Sequence, residues 1–103
     1  MSGDEVDQDR IDTVLDDLEG SWVGSPSQLE YEIEFADFLT AVRFIDELAP
    51  VCEERDHHPD LTISWRTVGI VLTTHSEGGV TEADLSLARE LDRIAAELPM
   101  ADD

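Results

Sequence analysis

Apolar and polar positions change rhythm several times along the chain, and each rhythm predicts an element. Residues 1–9 are acidic and patternless, an expected disordered segment. Ile11, Val14, Leu15 and Leu18 then follow at the spacing of a short amphipathic helix, which Gly20 ends. Trp22 stands in a short extended piece, and Gly24-Ser25-Pro26-Ser27 predicts a turn. Leu29, Tyr31, Ile33 and Phe35 alternate with Glu30, Glu32 and Glu34, the period of a strand with one buried and one wet face. Residues 36–55 predict a helix with Phe38, Val42, Ile45, Ala49 and Cys52 on one face, widened by Phe35, Leu39 and Leu48. Pro50 is expected to kink or split that helix near Ala49, and Pro59 to end it by about His57.

Two more strands follow. Leu61, Ile63 and Trp65 alternate with polar residues, as do Val68, Ile70 and Leu72 with Gly69, Val71 and Thr73. Arg66-Thr67 is the expected tight turn between them. Gly78-Gly79 marks a loop, and Thr81 with Asp84 three residues on forms a capping box, with Asp in place of Glu. Leu87, Ala88, Leu91, Ile94, Ala95 and Leu98 make the apolar stripe of a final helix that Pro99 ends. The order α-β-β-α-β-β-α predicts an α+β fold: two layers, a four-stranded antiparallel sheet with three helices on one face, in a single domain over residues 10–99.

Composition narrows the chemistry. The chain has 103 residues, 26 acidic against six basic, and a formal charge of −20. All six basic residues are Arg, so Schiff-base chemistry on Lys is excluded. No basic patch can be assembled, which argues against nucleic acid and anionic lipid as partners. Cys52 is the one cysteine, so an internal disulfide and a Cys-x-x-Cys motif are excluded, and its place on an apolar face reads as core. The apolar runs fall short of the ~20 residues of a membrane span, and the acidic start lacks the basic region of a signal peptide. A soluble, cytoplasmic protein is expected. Acidic excess spread through the folded pattern, with Lys eliminated, is the composition expected of a halophile.

Three histidines remain as candidate chemistry. With the turn at Arg66-Thr67, Trp65 faces Val68, Ile63 faces Ile70, Leu61 faces Leu72, and the register extended sets His58 opposite His75. His57 adjoins His58, one helical turn after Glu53, a spacing at which a carboxylate can orient an imidazole. Three imidazoles and a carboxylate are thus expected at one end of the sheet. They suit general acid–base work near neutral pH, a three-histidine metal site, or simply a solvated surface.

The spaced set Glu53-x-x-x-His57-His58-Pro59, Trp65, His75 and Asp84 resembles the signature of the pterin-4α-carbinolamine dehydratases. The passage Thr74-His75-Ser76-Glu77-Gly78-Gly79-Val80-Thr81, the Leu15-x-x-Leu18 and Trp22 upstream, and the Phe35-x-x-Phe38 helix start are similar to that family as well. The resemblance spans roughly residues 11–98. It implies dehydration of a 4a-hydroxytetrahydropterin to the quinonoid dihydropterin, in support of tetrahydrobiopterin recycling after an aromatic amino-acid hydroxylase. It implies His57 and His75 as the acid/base pair, His58 binding and orienting the pterin, Glu53 steering His57, Trp22 bordering the pocket and Asp84 capping the last helix. Neither metal nor organic cofactor is implied, and the assembly the resemblance implies is a homodimer or homotetramer. The chain departs from the family in its three strand glutamates and in Pro50, which bear on assembly rather than on the signature. Two other roles occur in such families: a non-catalytic dimerisation cofactor, and a step in molybdopterin-related metabolism.

A surface of charge −20 repels itself, and salt screens that repulsion. The melting temperature is expected to rise between about 0.1 M and about 2 M KCl. A melting temperature flat across that range would mean that the charge is tolerated for another reason.

Overall fold

Alternation and helical periodicity are met by a four-stranded antiparallel sheet backed by helices, in a computed structural model that describes residues 6–101. The elements are α1 (Gln8–Asp16), β1 (Val23–Gly24), β2 (Leu29–Glu34), α2 (Phe38–Arg55), β3 (Asp60–Ser64), β4 (Thr67–Leu72) and α3 (Glu82–Ala96), with a 3₁₀ turn at His75–Glu77. The sheet order is β1-β2-β4-β3. The expected α-β-β-α-β-β-α order is therefore the observed one. Of the acidic segment 1–9, residues 1–5 lie outside the described residues. Gln8 and Asp9 are helical, because Asp7 caps α1 by accepting the Arg10 amide at 2.9 Å.

The strand pattern places the core. Leu29, Tyr31 and Ile33 are buried while Glu30, Glu32 and Glu34 are exposed. Tyr31 pairs with Ile70 and Ile33 with Val68, so the inward faces of β2 and β4 form one apolar floor. Helix α3 lays Leu85, Leu87, Ala88, Leu91, Ile94 and Ala95 into the same core, and Phe35 meets Phe44 of α2 with ring centroids 5.1 Å apart.

The β3–β4 turn is not at Arg66-Thr67. Ser64 pairs with Thr67, Ile63 with Val68 and Leu61 with Ile70, so the two turn residues are Trp65 and Arg66. A tight hairpin needs a left-handed residue, and Trp65 supplies it at φ 53°. The β-branched Thr67 resists that conformation and stays in the strand. Trp65 is consequently not a core residue but 67% exposed, with the Arg66 guanidinium 4.3 Å above its ring. The shift is two residues, so each side chain keeps its face. Extended from there, position 58 falls opposite Thr73 rather than His75.

Helix α2 does not split at Pro50. Pro50 and Asp46, whose carbonyl loses its donor, both lie on the exposed side, where water can replace it. The buried stripe is Ala41, Phe44, Leu48 and Cys52. Phe38, Leu39 and Ala49, expected inward, are exposed.

Helix α3 carries a second device that periodicity does not reveal. Asp92 is 5% exposed and accepts three hydrogen bonds: from the Glu19 amide (2.9 Å), the Gly20 amide (2.9 Å) and the Trp22 indole Nε1 (3.1 Å). It thereby fastens the α1–β1 connection to α3. Asp92→Asn keeps the shape but can turn an amide NH₂ toward the Glu19 N–H. We expect a loss of about 1–3 kcal/mol, read as a lower urea midpoint. An unchanged midpoint would show that the latch contributes nothing.

Candidate active site

Two chain reversals and one helix start build the site. At the end of α2, Asp56 takes the left-handed conformation (φ 51°), which an Asp tolerates better than most residues. The His57 amide reaches back to the Cys52 carbonyl at 3.1 Å. The chain therefore leaves the helix abruptly, and Pro59 keeps His58 extended before β3 begins.

The second reversal follows β4. Thr74 and Gly79 exchange backbone hydrogen bonds of 3.0 and 3.3 Å, closing a small loop that carries the 3₁₀ turn. The β1–β2 turn props this loop from below: the Val80 amide donates to the Pro26 carbonyl (2.8 Å) and Thr73 Oγ1 to the Ser27 carbonyl (2.8 Å). Gly79 makes that approach possible, since a Cβ there would stand 2.4 Å from the Pro26 oxygen. His75 is presented exposed at the loop's start.

Helix α3 begins where these reversals meet. Asp84 has no exposed surface. Its Oδ2 accepts the Thr81 amide at 2.9 Å and the Thr74 hydroxyl at 2.7 Å. Its Oδ1 lies 2.5 Å from Nε2 of His57, whose side chain is 18% exposed. Glu53 lies elsewhere: its Oε2 is 2.6 Å from Nε2 of His58, and both side chains are open to solvent. The carboxylate partners thus differ from the expected ones. Glu53 meets His58, and the residue against His57 is Asp84, for which helix capping alone was expected. Asp84 does both, since the Thr81–Asp84 capping box is formed.

The geometry brings His57, His75, Thr74 and Asp84 around the start of α3, with His58 and Glu53 beside them at the end of α2. It does not bring Trp22. That indole is buried against Asp92 and lies 4.8 Å from the Tyr31 ring, with Asp92 two helical turns, about 12 Å, beyond Asp84 along α3. Thr74 is a member that sequence reasoning passed over, and its only signal was adjacency to His75. Asp84 and Asp92 had a clearer one: both are carboxylates set in the inward-facing stripe of α3.

Supporting charges surround the site. Arg10 on α1 forms two 2.9 Å hydrogen bonds to Glu82, the first residue of α3, and holds that carboxyl below the ordinary Glu range. Burial pushes the Cys52 thiol up, in keeping with a core role. Among the described residues, no group of three or more His, Cys, Asp or Glu side chains could hold a metal ion, and no helix is long and apolar enough to cross a membrane. A recess of about 370 Å³ lined by Thr74, Ser76, Glu77 and Thr81 flanks His75. A wider one of about 500 Å³ lies over Glu30, Glu32, Asp60, Thr62 and Gly69.

A family model described as pterin 4 alpha carbinolamine dehydratase matches residues 4–94. A protein of Mycobacterium sp. (strain KMS), described as a candidate pterin-4-alpha-carbinolamine dehydratase, is 45% identical over 86 residues, 84% of this chain and 90% of its own. A Sulfolobus acidocaldarius protein described in the same way is 38% identical over 89 residues, 86% of this chain and 97% of its own. Among solved structures, the transcriptional coactivator/pterin dehydratase of Brucella melitensis superposes with a TM-score of 0.80 at 34% identity, over 88% of this chain and 98% of that one. A pterin dehydratase-like protein identified as a RuBisCO assembly factor in the alpha-carboxysome superposes with a TM-score of 0.60 at 27% identity, over 74% of this chain and 88% of that one.

Proposed function

The chain belongs to the pterin-4-alpha-carbinolamine dehydratase family, and from that premise we propose that it catalyses the dehydration of a 4a-hydroxytetrahydropterin by histidine acid–base chemistry. The C4a–O bond breaks as the hydroxyl takes up a proton and departs as water. N5 gives up its proton, and the C4a–N5 double bond of the quinonoid dihydropterin forms. One proton is donated and one accepted, so the reaction needs two groups that titrate near neutrality and no oxidant or reductant. His57 and His75 take these roles. His58 binds and orients the pterin, and Glu53 orients His58 rather than His57.

The observation that supports this reading best is the 2.5 Å contact between His57 and the buried Asp84, whose other oxygen binds Thr74, the residue directly before the exposed His75. An imidazole serving only as solvated surface has no need of a buried carboxylate. A pterin is close to neutral, so the charge of −20 does not oppose its binding.

His57→Ala and His75→Ala are each expected to lower kcat by about two orders of magnitude, with the double variant falling further unless the two act as one unit. His58→Ala and Glu53→Gln are expected to act mainly on KM. Stopped-flow ultraviolet absorbance of 4a-hydroxytetrahydropterin decay reads all four. Wild-type rates in all three histidine variants would sink the catalytic reading and favour a binding role, such as the assembly role described for the more distant structural relative.

Assembly follows from apolar surface left outside the core. Phe38 and Leu39 on α2 are 49% and 77% exposed, and Ile63 and Trp65 at the β3 edge are 41% and 67% exposed. Covering both patches takes contacts through a helix face and through a sheet edge, and a tetramer provides them. Light scattering in molar KCl is expected to give an oligomer. A monomer alone under those conditions would refute this.

A further inference from the structure

We propose that Thr74 is a positioning residue for His57: its hydroxyl anchors the Asp84 carboxylate, which in turn holds the His57 ring with Nε2 protonated and Nδ1 left for proton transfer. Its consequence for catalysis rests on the dehydratase reading; its geometry does not.

The direction of the relay follows from counting hydrogens. As a carboxylate, Asp84 can only accept. The Thr74 hydroxyl has one hydrogen, and at 2.7 Å from Asp84 Oδ2 it must donate it there. The 2.9 Å contact between Thr74 Oγ1 and Thr81 Oγ1 then runs the other way, with Thr81 donating to Thr74. The chain of donation is therefore Thr81 to Thr74 to Asp84, and each link polarises the next.

On its other oxygen, Asp84 faces Nε2 of His57 at 2.5 Å, so Nε2 must carry a hydrogen. In the neutral ring Nδ1 is then the bare acceptor, and it lies on the side of the ring not engaged by Asp84. Asp84 thus selects one tautomer and leaves Nδ1 to take up and return the proton, and Thr74 keeps the carboxylate turned toward the ring. Thr74 also precedes His75 directly, so the same residue links the support of His57 to the loop that carries the second imidazole.

The test reads the tautomer directly. Long-range ¹H–¹⁵N spectra of histidine-labelled protein, at about pH 8 where a free imidazole is neutral, are recorded for wild type, Thr74→Val and Thr74→Ser, with kcat and KM measured in parallel. The wild type is expected to show His57 protonated at Nε2. Thr74→Val is expected to let the unanchored Asp84 carboxylate turn from His57, and so to mix the tautomers and lower kcat about tenfold at little change in KM, a smaller loss than removing an acid–base group. Thr74→Ser, which keeps the hydroxyl, is expected to restore both readouts. His57 protonated at Nδ1 in the wild type would overturn the proposal, as would a Thr74→Val variant with wild-type tautomer and kcat. Should Thr74→Val fail to fold, Thr74→Ala carries the same test. Tautomer mixing in a protein that dehydrates no pterin would refute the dehydratase reading and leave the relay standing.

Discussion

A carboxylate with no exposed surface is costly unless donors surround it, and around Asp84 those donors come from three separate stretches of chain. The Thr81 amide comes from the start of α3, the Thr74 hydroxyl from the loop after β4, and the His57 ring from the exit of α2. Satisfying one buried group therefore fixes the relative positions of a helix, a sheet end and a helix exit. The two imidazoles assigned to proton transfer lie on the segments so fixed. A site on loops gains rigidity in this way, because moving either loop would strip a donor from a buried charge.

Asp92 repeats the device two turns along the same helix, with three donors from the α1–β1 connection and Trp22. One face of α3 thus holds the apolar core between two buried carboxylates, one serving the site and one serving the chain's entry into the sheet. Trp22 belongs to the second. Its resemblance to a pocket residue is a matter of sequence position, and its indole N–H is engaged at the wrong end of the helix for contact with the histidines.

The acidic surface and the unpartnered apolar patches pull in opposite directions. A charge of −20 drives copies apart at low salt, while Phe38, Leu39, Ile63 and Trp65 gain from contact with another surface. High ionic strength weakens the repulsion and leaves the apolar gain in place. The proposed assembly and the folding of this chain are therefore tied to the same variable.

Local periodicity was enough to determine the elements. A period of two over Leu29–Phe35 admits only a strand with glutamates outward, and the stripe from Leu87 to Leu98 only a helix, because these patterns express which side chains share a face. The spacing of His57, His58, His75 and Asp84 identified the family for the same reason: it is a property of the chain alone. Other features depended on contacts between distant segments. Helix α2 is apolar around a wide arc, so only docking decided that Ala41, Phe44 and Leu48 turn inward and Phe38 outward. The hairpin turn settled at Trp65-Arg66 because a left-handed residue was required and Thr67 resists that conformation. An i, i+4 rule assigned Glu53 to His57, but the left-handed Asp56 turns the chain out of the helix, bringing His58 to Glu53 and His57 across to α3. Which carboxylate holds which imidazole is set by the path of the backbone between them, and that path exists only in the folded molecule.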